Sequence, residues 1–230
     1  VLDQCGRQRC PMLLTSTSEV YGKSPHTPYR EDSDSVIGPP SRRRWAYAAA
    51  KSVDEFLALA YWHQQQSPVV VVRLFNTVGP RQTGQYGMVI PRLVGQALRG
   101  DPLTVYGDGE QSRCFCHVYD VVRALVRLLS DPDCYGEVFN VGNDREVTIN
   151  QLAEMIIQRT GSQSRIRHVP YTDAYGPGFE DMQRRVPDLA KIRRQIAYAP
   201  EFNLETILDD VMKSLRSPPG GAATAENTGA

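Results

Sequence analysis

Four consecutive valines, Val69, Val70, Val71 and Val72, in "SPVVVVRLFN" constrain the fold more than any other stretch. An apolar run without alternation fits a strand covered on both faces, the setting of a parallel sheet. "CPMLLTSTSEVYG" reads as an earlier short strand, residues 12–15, that runs into a polar turn. Residues 22–44 hold Pro and Ser without periodicity and read as a loop. An alanine-rich helix over about residues 46–65 follows, with Ala48, Ala49 and Ala50 supplying helix propensity. Strand, long helix, strand is a βαβ unit, and its crossover should be right-handed.

The pattern continues downstream. "GMVIPRLVGQALRG" predicts a helix that stops at Gly100, and "PLTVYGDGEQSRCFCHV" predicts two strands around a Gly-Asp-Gly turn. "YDVVRALVRLL" is amphipathic, with Val121, Leu125, Leu128 and Leu129 on one face. "EVFNVG" reads as a strand. "TINQLAEMIIQRTG" opens on a capping box, Thr148 to Gln151, and stops at Gly161. "PDLAKIRRQI" and "LETILDDVMKSL" predict two further helices. From residue 217 the tail "SPPGGAATAENTGA" offers no core-forming residue and is expected to be disordered. Alternating strands and helices predict an α/β fold with a mainly parallel sheet.

Charge and cysteine usage narrow the function classes. The 230 residues contain 26 Lys plus Arg and 26 Asp plus Glu, so no global field favours nucleic acid or an anionic membrane. A local basic run, Arg42-Arg43-Arg44, is a candidate anion contact, although a solvated loop is the commoner outcome for such a run. No apolar stretch reaches the ~18–20 residues of a membrane span, and no signal-peptide pattern opens the chain. Five cysteines without a paired framework indicate a reducing compartment, so a cytoplasmic location is expected. Cys114 and Cys116 form C-x-C with no second ligand pair, which favours core packing over a metal site. The chain begins inside what reads as a helix, "VLDQCGRQRC", and is expected to be a fragment of a longer protein.

Ligands of open parallel sheets bind at the carboxyl ends of strands. Three polar clusters lie at such ends: "STSEVYG", the start of the alanine-rich helix, and "FNTVGP". Tyr47 and Lys51 are four residues apart and share a helix face. A free phenol, with a pKa of about 10, is a poor base at neutral pH, and a neighbouring cation favours its charged form. Tyr-x-x-x-Lys is a weak pattern alone. Inside a βαβ unit, after a hydroxyl cluster at a strand end, it is far more specific.

With "STSEVYG", "YAAAK", "VVRLFNTVGPRQ", "VIPRLVGQALRGDPLTVYGDGEQSRCFCHVYDVVRAL", "FNVGN" and "RRVPDLAKI" in this order, the chain resembles the extended short-chain dehydrogenase/reductases over residues 2–215. Within them it is similar to the NAD-dependent nucleotide-sugar epimerases, dehydratases and decarboxylases. The resemblance implies the C-terminal part of a Rossmann-like parallel sheet, residues 1–77 and 101–130, with a smaller α/β nucleotide-sugar lobe, residues 78–100 and 131–216. It implies NAD as cofactor, a UDP-sugar as the expected substrate, and a homodimer at full length. Neither nucleic acid nor a membrane is an expected partner.

The resemblance also implies roles. Thr17, Ser18, Glu19, Tyr47 and Lys51 would form the catalytic group. Tyr47 would act as base and acid on the sugar 4-hydroxyl, and Thr17 would hydrogen-bond the same oxygen. Lys51 would hold the nicotinamide ribose and favour the phenolate, and Phe75 would join Thr17, Tyr47 and Lys51 at the cofactor. Asn76, Arg113 and Arg185 would reach the nucleotide-sugar diphosphate. Val89, Pro91, Leu103 and Val105 would pack on the base and ribose, with plain core the alternative, above all for Val105. An acidic Glu19 after Thr17-Ser18 resembles dehydratases and decarboxylases rather than simple 4-epimerases. A capping or pairing role is its alternative. Arg185 resembles the arginine that faces the sugar carboxylate in decarboxylases. His117 reads as a hydrogen-bonded structural histidine.

The chemistry so implied oxidises carbon 4 to a ketone, exploits the acidity it creates next door, and returns the hydride with no net use of NAD. Epimerase, 4,6-dehydratase and glucuronate decarboxylase stay open at this point. So do a non-catalytic nucleotide-sugar-binding fragment and a reductase that consumes NAD(P)H. One family feature is missing: no Gly-x-x-Gly-x-x-Gly turn occurs, since "GQYG", "GDGE" and "GPGF" have the wrong spacing. The first half of the dinucleotide domain is therefore expected to be absent, leaving the chain alone inactive and weak toward NAD. The helix of Tyr47 carries Phe56, Leu57, Leu59 and Trp62 for core or interface.

Overall fold

A computed structural model describes residues 1–84, 88–176 and 180–216. The tail from residue 217 lies outside the described residues. In chain order the elements are α1 (Leu2–Arg7), β1 (Met12–Thr17), a 3-10 turn at Ser18–Tyr21, α2 (Trp45–Gln65), β2 (Val69–Leu74), β3 (Thr77–Val78) and α3 (Val89–Arg99). They continue with β4 (Leu103–Tyr106), β5 (Ser112–Cys114), β6 (Cys116–His117), α4 (Val118–Ser130), β7 (Val138–Val141), β8 (Glu146–Thr148) and α5 (Ile149–Thr160). The last are β9 (Ile166–Val169), α6 (Tyr171–Tyr175), β10 (Arg184–Arg185), α7 (Ala190–Ile196) and α8 (Leu204–Arg216).

The valine run explains the central layer. β1, β2 and β7 pair in parallel in that order, with Met12 opposite Val69 and Thr17 opposite Leu74. Val70 and Val72 pack with Val121, Ala124 and Leu128 of α4 and Phe139 of β7, while Val69 and Val71 pack with Ala58 of α2. Successive strand residues point to opposite faces, so four buried valines require a helix on each face. The fold is α/β with parallel pairing, as the sequence predicts. Local signals hold as well. Gly100 and Gly161 end their helices in the left-handed conformation, and the Thr148–Gln151 capping box is fully formed.

A second core gathers Leu93 and Val94 of α3, Leu103 and Val105 of β4, Leu152 and Ile156 of α5, and Ile207, Leu208 and Val211 of α8. Packing assigns two segments differently from the sequence reading. β7, within residues 131–216, pairs with β2 in the first core, and β4, within residues 101–130, packs in the second. The strands flanking Gly107-Asp108-Gly109 also do not pair with each other. β4 pairs in parallel with β9, whereas β5 pairs with β8 and β10. Gly107 and Gly109 take φ of +72° and +78°, which turns the chain from one sheet into another.

Beneath α2 lies a buried polar lock. Arg73 Nε and Nη2 donate to the Glu55 carboxylate at 3.0 and 2.7 Å, and Ser16 Oγ donates to the same group. Arg73 Nη1 reaches the Glu31 carbonyl at 3.0 Å, and its guanidinium lies 4.7 Å from the Tyr21 ring. Tyr21 donates to Asn140 at 2.7 Å, and burial pushes its phenol up to about 12. One helix residue is thereby tied to both β1 and β2.

His117 is buried, accepts from the Tyr119 amide at 3.1 Å and stacks on Phe202. Cys114 and Cys116 are buried, and desolvation raises both thiols to about 12. Few thiolates then exist near pH 8, and the thiolate is the nucleophile. Iodoacetamide at that pH should modify exposed Cys10 first and leave Cys114 and Cys116 unlabelled in the native protein, as read by peptide mass mapping. Equal labelling would contradict this packing. Among the described residues, no three His, Cys, Asp or Glu side chains converge to hold a metal ion. None of their helices is long and apolar enough to cross a membrane.

Candidate active site

β1 delivers the hydroxyl cluster. Thr17 ends that strand in extended conformation, and its Oγ1 accepts the Glu19 amide at 3.2 Å, so it caps the Ser18–Tyr21 turn. Ser18 Oγ is buried, without a hydrogen-bond partner among the described residues. α2 packs on both β1 and this turn. On α2, Tyr47 is 56% exposed and Lys51 Nζ pairs with Asp54 at 3.2 Å.

A cavity of about 440 Å³ opens nearby, lined by charged residues Glu19, Arg44, Arg92, Arg113, Asp181 and Arg185. Its charges are cross-linked. Arg185 donates to Glu19 at 2.7 Å, and Arg44 lies 3.5 Å from Glu19 and 3.4 Å from Asp181. Arg113 pairs with Asp181 at 2.8 Å, and the Tyr171 hydroxyl donates to the same carboxylate at 3.0 Å. Four arginines against two carboxylates leave a surplus of two positive charges in the lining, which suits an anionic ligand. Burial pulls the Arg185 guanidinium below its usual range, and Glu19 opposes that pull. Burial also raises the Tyr171 and Tyr175 phenols, so both stay neutral donors.

Of the residues singled out in the sequence, Glu19, Asn76, Val89, Pro91, Arg113 and Arg185 line this cavity. Asn76 Nδ2 donates to the Cys114 carbonyl at 3.0 Å. Thr17, Ser18, Tyr47 and Lys51 are not part of the lining, but Glu19 and Arg44, their near neighbours in sequence, are. Three expectations need correction. Leu103 and Val105 are fully buried in the second core, because β4 alternates and turns those two inward. Its opposite face supplies Tyr106 to the cavity and the Thr104 hydroxyl as an acceptor for Arg92. Phe75 is fully buried against Val20, Tyr21 and Tyr29, so its side chain offers no cofactor contact.

Arg92, Asp181 and the tyrosines Tyr106, Tyr171 and Tyr175 are cavity residues that sequence reasoning missed, whereas Arg44 belongs to the basic run read as a candidate anion contact. Arg44 left a legible signal. It occupies the N-cap position of α2, three residues before Tyr47, where a cation opposes the helix dipole. Glu19 and Asp181 offset that cost. Arg42 and Arg43 are exposed, the solvated outcome for that run.

Residues 1–142 match the NAD dependent epimerase/dehydratase family, and the chain belongs to it. It is 42% identical over 206 residues to a UDP-N-acetyl-alpha-D-glucosaminuronate decarboxylase of Bacillus cytotoxicus, an alignment covering 89% of this chain and 63% of that protein. To UDP-glucuronic acid decarboxylase 1 of Arabidopsis thaliana it is 36% identical, over 89% of this chain and 45% of the relative. The chain therefore spans about half to two thirds of these relatives. The fold superposes on UDP-glucuronic acid 4-epimerase of Bacillus cereus, solved with UDP-glucuronic acid and NAD, at a TM-score of 0.81 and 26% identity. That match covers 94% of this chain and 64% of the epimerase.

Residues of the first turns of α2 fit one side of the family's cofactor. The exposed Tyr47 side chain and the Lys51 ammonium suit the hydroxyls of a nicotinamide ribose. No Gly-x-x-Gly-x-x-Gly turn accompanies them, so they address that side alone.

Proposed function

We propose that this chain carries the substrate cavity and proton-transfer group of an NAD-dependent decarboxylase acting on a UDP-linked hexuronate through a 4-keto intermediate. The observation that carries this reading is the Glu19–Arg185 pair, 2.7 Å apart beside Arg44 in a cavity with surplus positive charge. The names of the decarboxylase relatives support it. Arg113 and Asn76 bind the diphosphate, and Arg185 with Arg44 faces the sugar carboxylate. Tyr47 takes the proton of the 4-hydroxyl, held by Thr17, and Lys51 holds the nicotinamide ribose. NAD, when bound, accepts the hydride from carbon 4 and later returns it. With a ketone at carbon 4, the electrons of the bond to the carboxylate flow into the ketone and carbon dioxide leaves. Carbon 5 then takes up a solvent proton, relayed by Glu19 once the substrate's own carboxylate has displaced it from Arg185. Tyr47 returns its proton when the ketone is reduced.

Epimerisation shares the opening step, so product analysis separates the readings. The full-length protein that contains this chain is incubated with NAD and UDP-glucuronate or UDP-N-acetylglucosaminuronate, and the products are resolved by mass. A product lighter by one carbon dioxide is expected. An unchanged mass with altered retention would replace this reading with epimerisation, and loss of water would replace it with dehydration.

The reading extends to a cytoplasmic homodimer. Val53, Phe56 and Leu57 form an exposed apolar stripe on α2, whereas Leu59 and Trp62 pack against Val69 and Val71.

A further inference from the structure

Asp181 has more partners in the cavity than any other carboxylate there. One oxygen receives Arg113 at 2.8 Å and the Tyr171 hydroxyl at 3.0 Å. The other receives Arg44 at 3.4 Å and the Met182 amide at 2.9 Å, which fixes the carboxylate against its own backbone. These partners belong to separate parts of the fold: Arg44 occupies the N-cap position of α2, Arg113 lies in β5, and Tyr171 opens α6. The neighbouring Glu180 accepts from the Trp45 indole at 3.2 Å and pairs with Lys23 at 3.3 Å, so the start of α2 is held to this segment through both Arg44 and Trp45. Four residues further on, the same segment presents Arg185 to Glu19.

We propose that Asp181 is the positioning residue of the cavity, clamping Arg44 to Arg113 so that both guanidinium groups face one anionic ligand at a fixed spacing. This inference rests on the nucleotide-sugar reading of the cavity. Two consequences follow from charge. Asp181 is an anion in a lining that attracts anions, so electrostatics alone says that removing its charge tightens nucleotide binding. Positioning says the opposite. Without the carboxylate, two largely buried arginines repel each other and lose their shared acceptor. The preorganised pair of donors then has to be rebuilt at the ligand's expense.

The test is calorimetric titration of the chain with UDP, for wild type and for Asp181→Asn and Asp181→Glu. Wild type should bind, Asp181→Asn should bind roughly tenfold or more weakly, the scale of a lost charge-assisted hydrogen bond, and Asp181→Glu should recover most of that loss. Circular dichroism melts taken alongside separate this from a general loss of structure, since a merely structural role would not be rescued at unchanged melting temperature. Should Asp181→Asn fail to fold, Tyr171→Phe removes one bond to the carboxylate without changing charge. It is then expected to weaken UDP binding about threefold. Equal or tighter binding by Asp181→Asn, or unchanged binding by Tyr171→Phe, would overturn the proposal and mark Asp181 as a competitor of the ligand. If wild type takes up no UDP, the nucleotide-sugar reading itself fails, and this inference with it.

Discussion

Replacing Tyr47 by phenylalanine should lower kcat by about 10²–10⁴-fold, the contribution of one positioned general base, with KM for the UDP-sugar close to wild type. The substitution removes a single hydroxyl from a side chain that is 56% exposed, so packing and stability change little. An oxygen that moves a proton only during the reaction contributes to kcat and little to ground-state binding. Steady-state kinetics of the full-length protein with UDP-glucuronate and NAD, beside circular dichroism of wild type and variant, separates the two parameters. A kcat within a fewfold of wild type would remove Tyr47 from the proton pathway, whatever its spacing to Lys51.

Replacing Glu55 by alanine should cost about 3–5 kcal/mol of stability, since it leaves a buried guanidinium without its carboxylate. The Arg73 side chain is 10% exposed and makes a two-pronged contact with Glu55. Arginine does not escape by losing its proton. A typical domain has only about 5–15 kcal/mol in total, so the loss should appear as a large drop in urea midpoint. The double variant Glu55→Leu with Arg73→Met should recover much of it, because a well-packed apolar pair avoids both desolvation costs. A loss below about 1 kcal/mol in Glu55→Ala would show that the pair contributes little. Tyr47, Lys51 and Glu55 follow each other at four-residue spacing on α2. The anchor of the helix thus lies on the same side as the residues assigned to chemistry.

Strand identity, helix ends and family membership were legible in the chain itself. A run of four valines demands cover on two faces, a Thr148–Gln151 box starts a helix, and Gly100 and Gly161 stop helices. Each is a signal carried by residues within a few positions of one another. β4 shows where such signals end. Its strand character was readable, but which of its faces met the cavity was not, because alternation defines two faces without naming their neighbours.

Residues 45–56 determined the βαβ helix and the Tyr47–Lys51 spacing by helical geometry alone. Only the tertiary structure brought Arg44 to Asp181 across 137 positions and Glu19 to Arg185 across 166. Propensity and periodicity decay within a turn or two of backbone. Charges meet across such separations only after two cores have packed, and a guanidinium becomes a binding group only once its counter-charge holds it at the wall of a cavity.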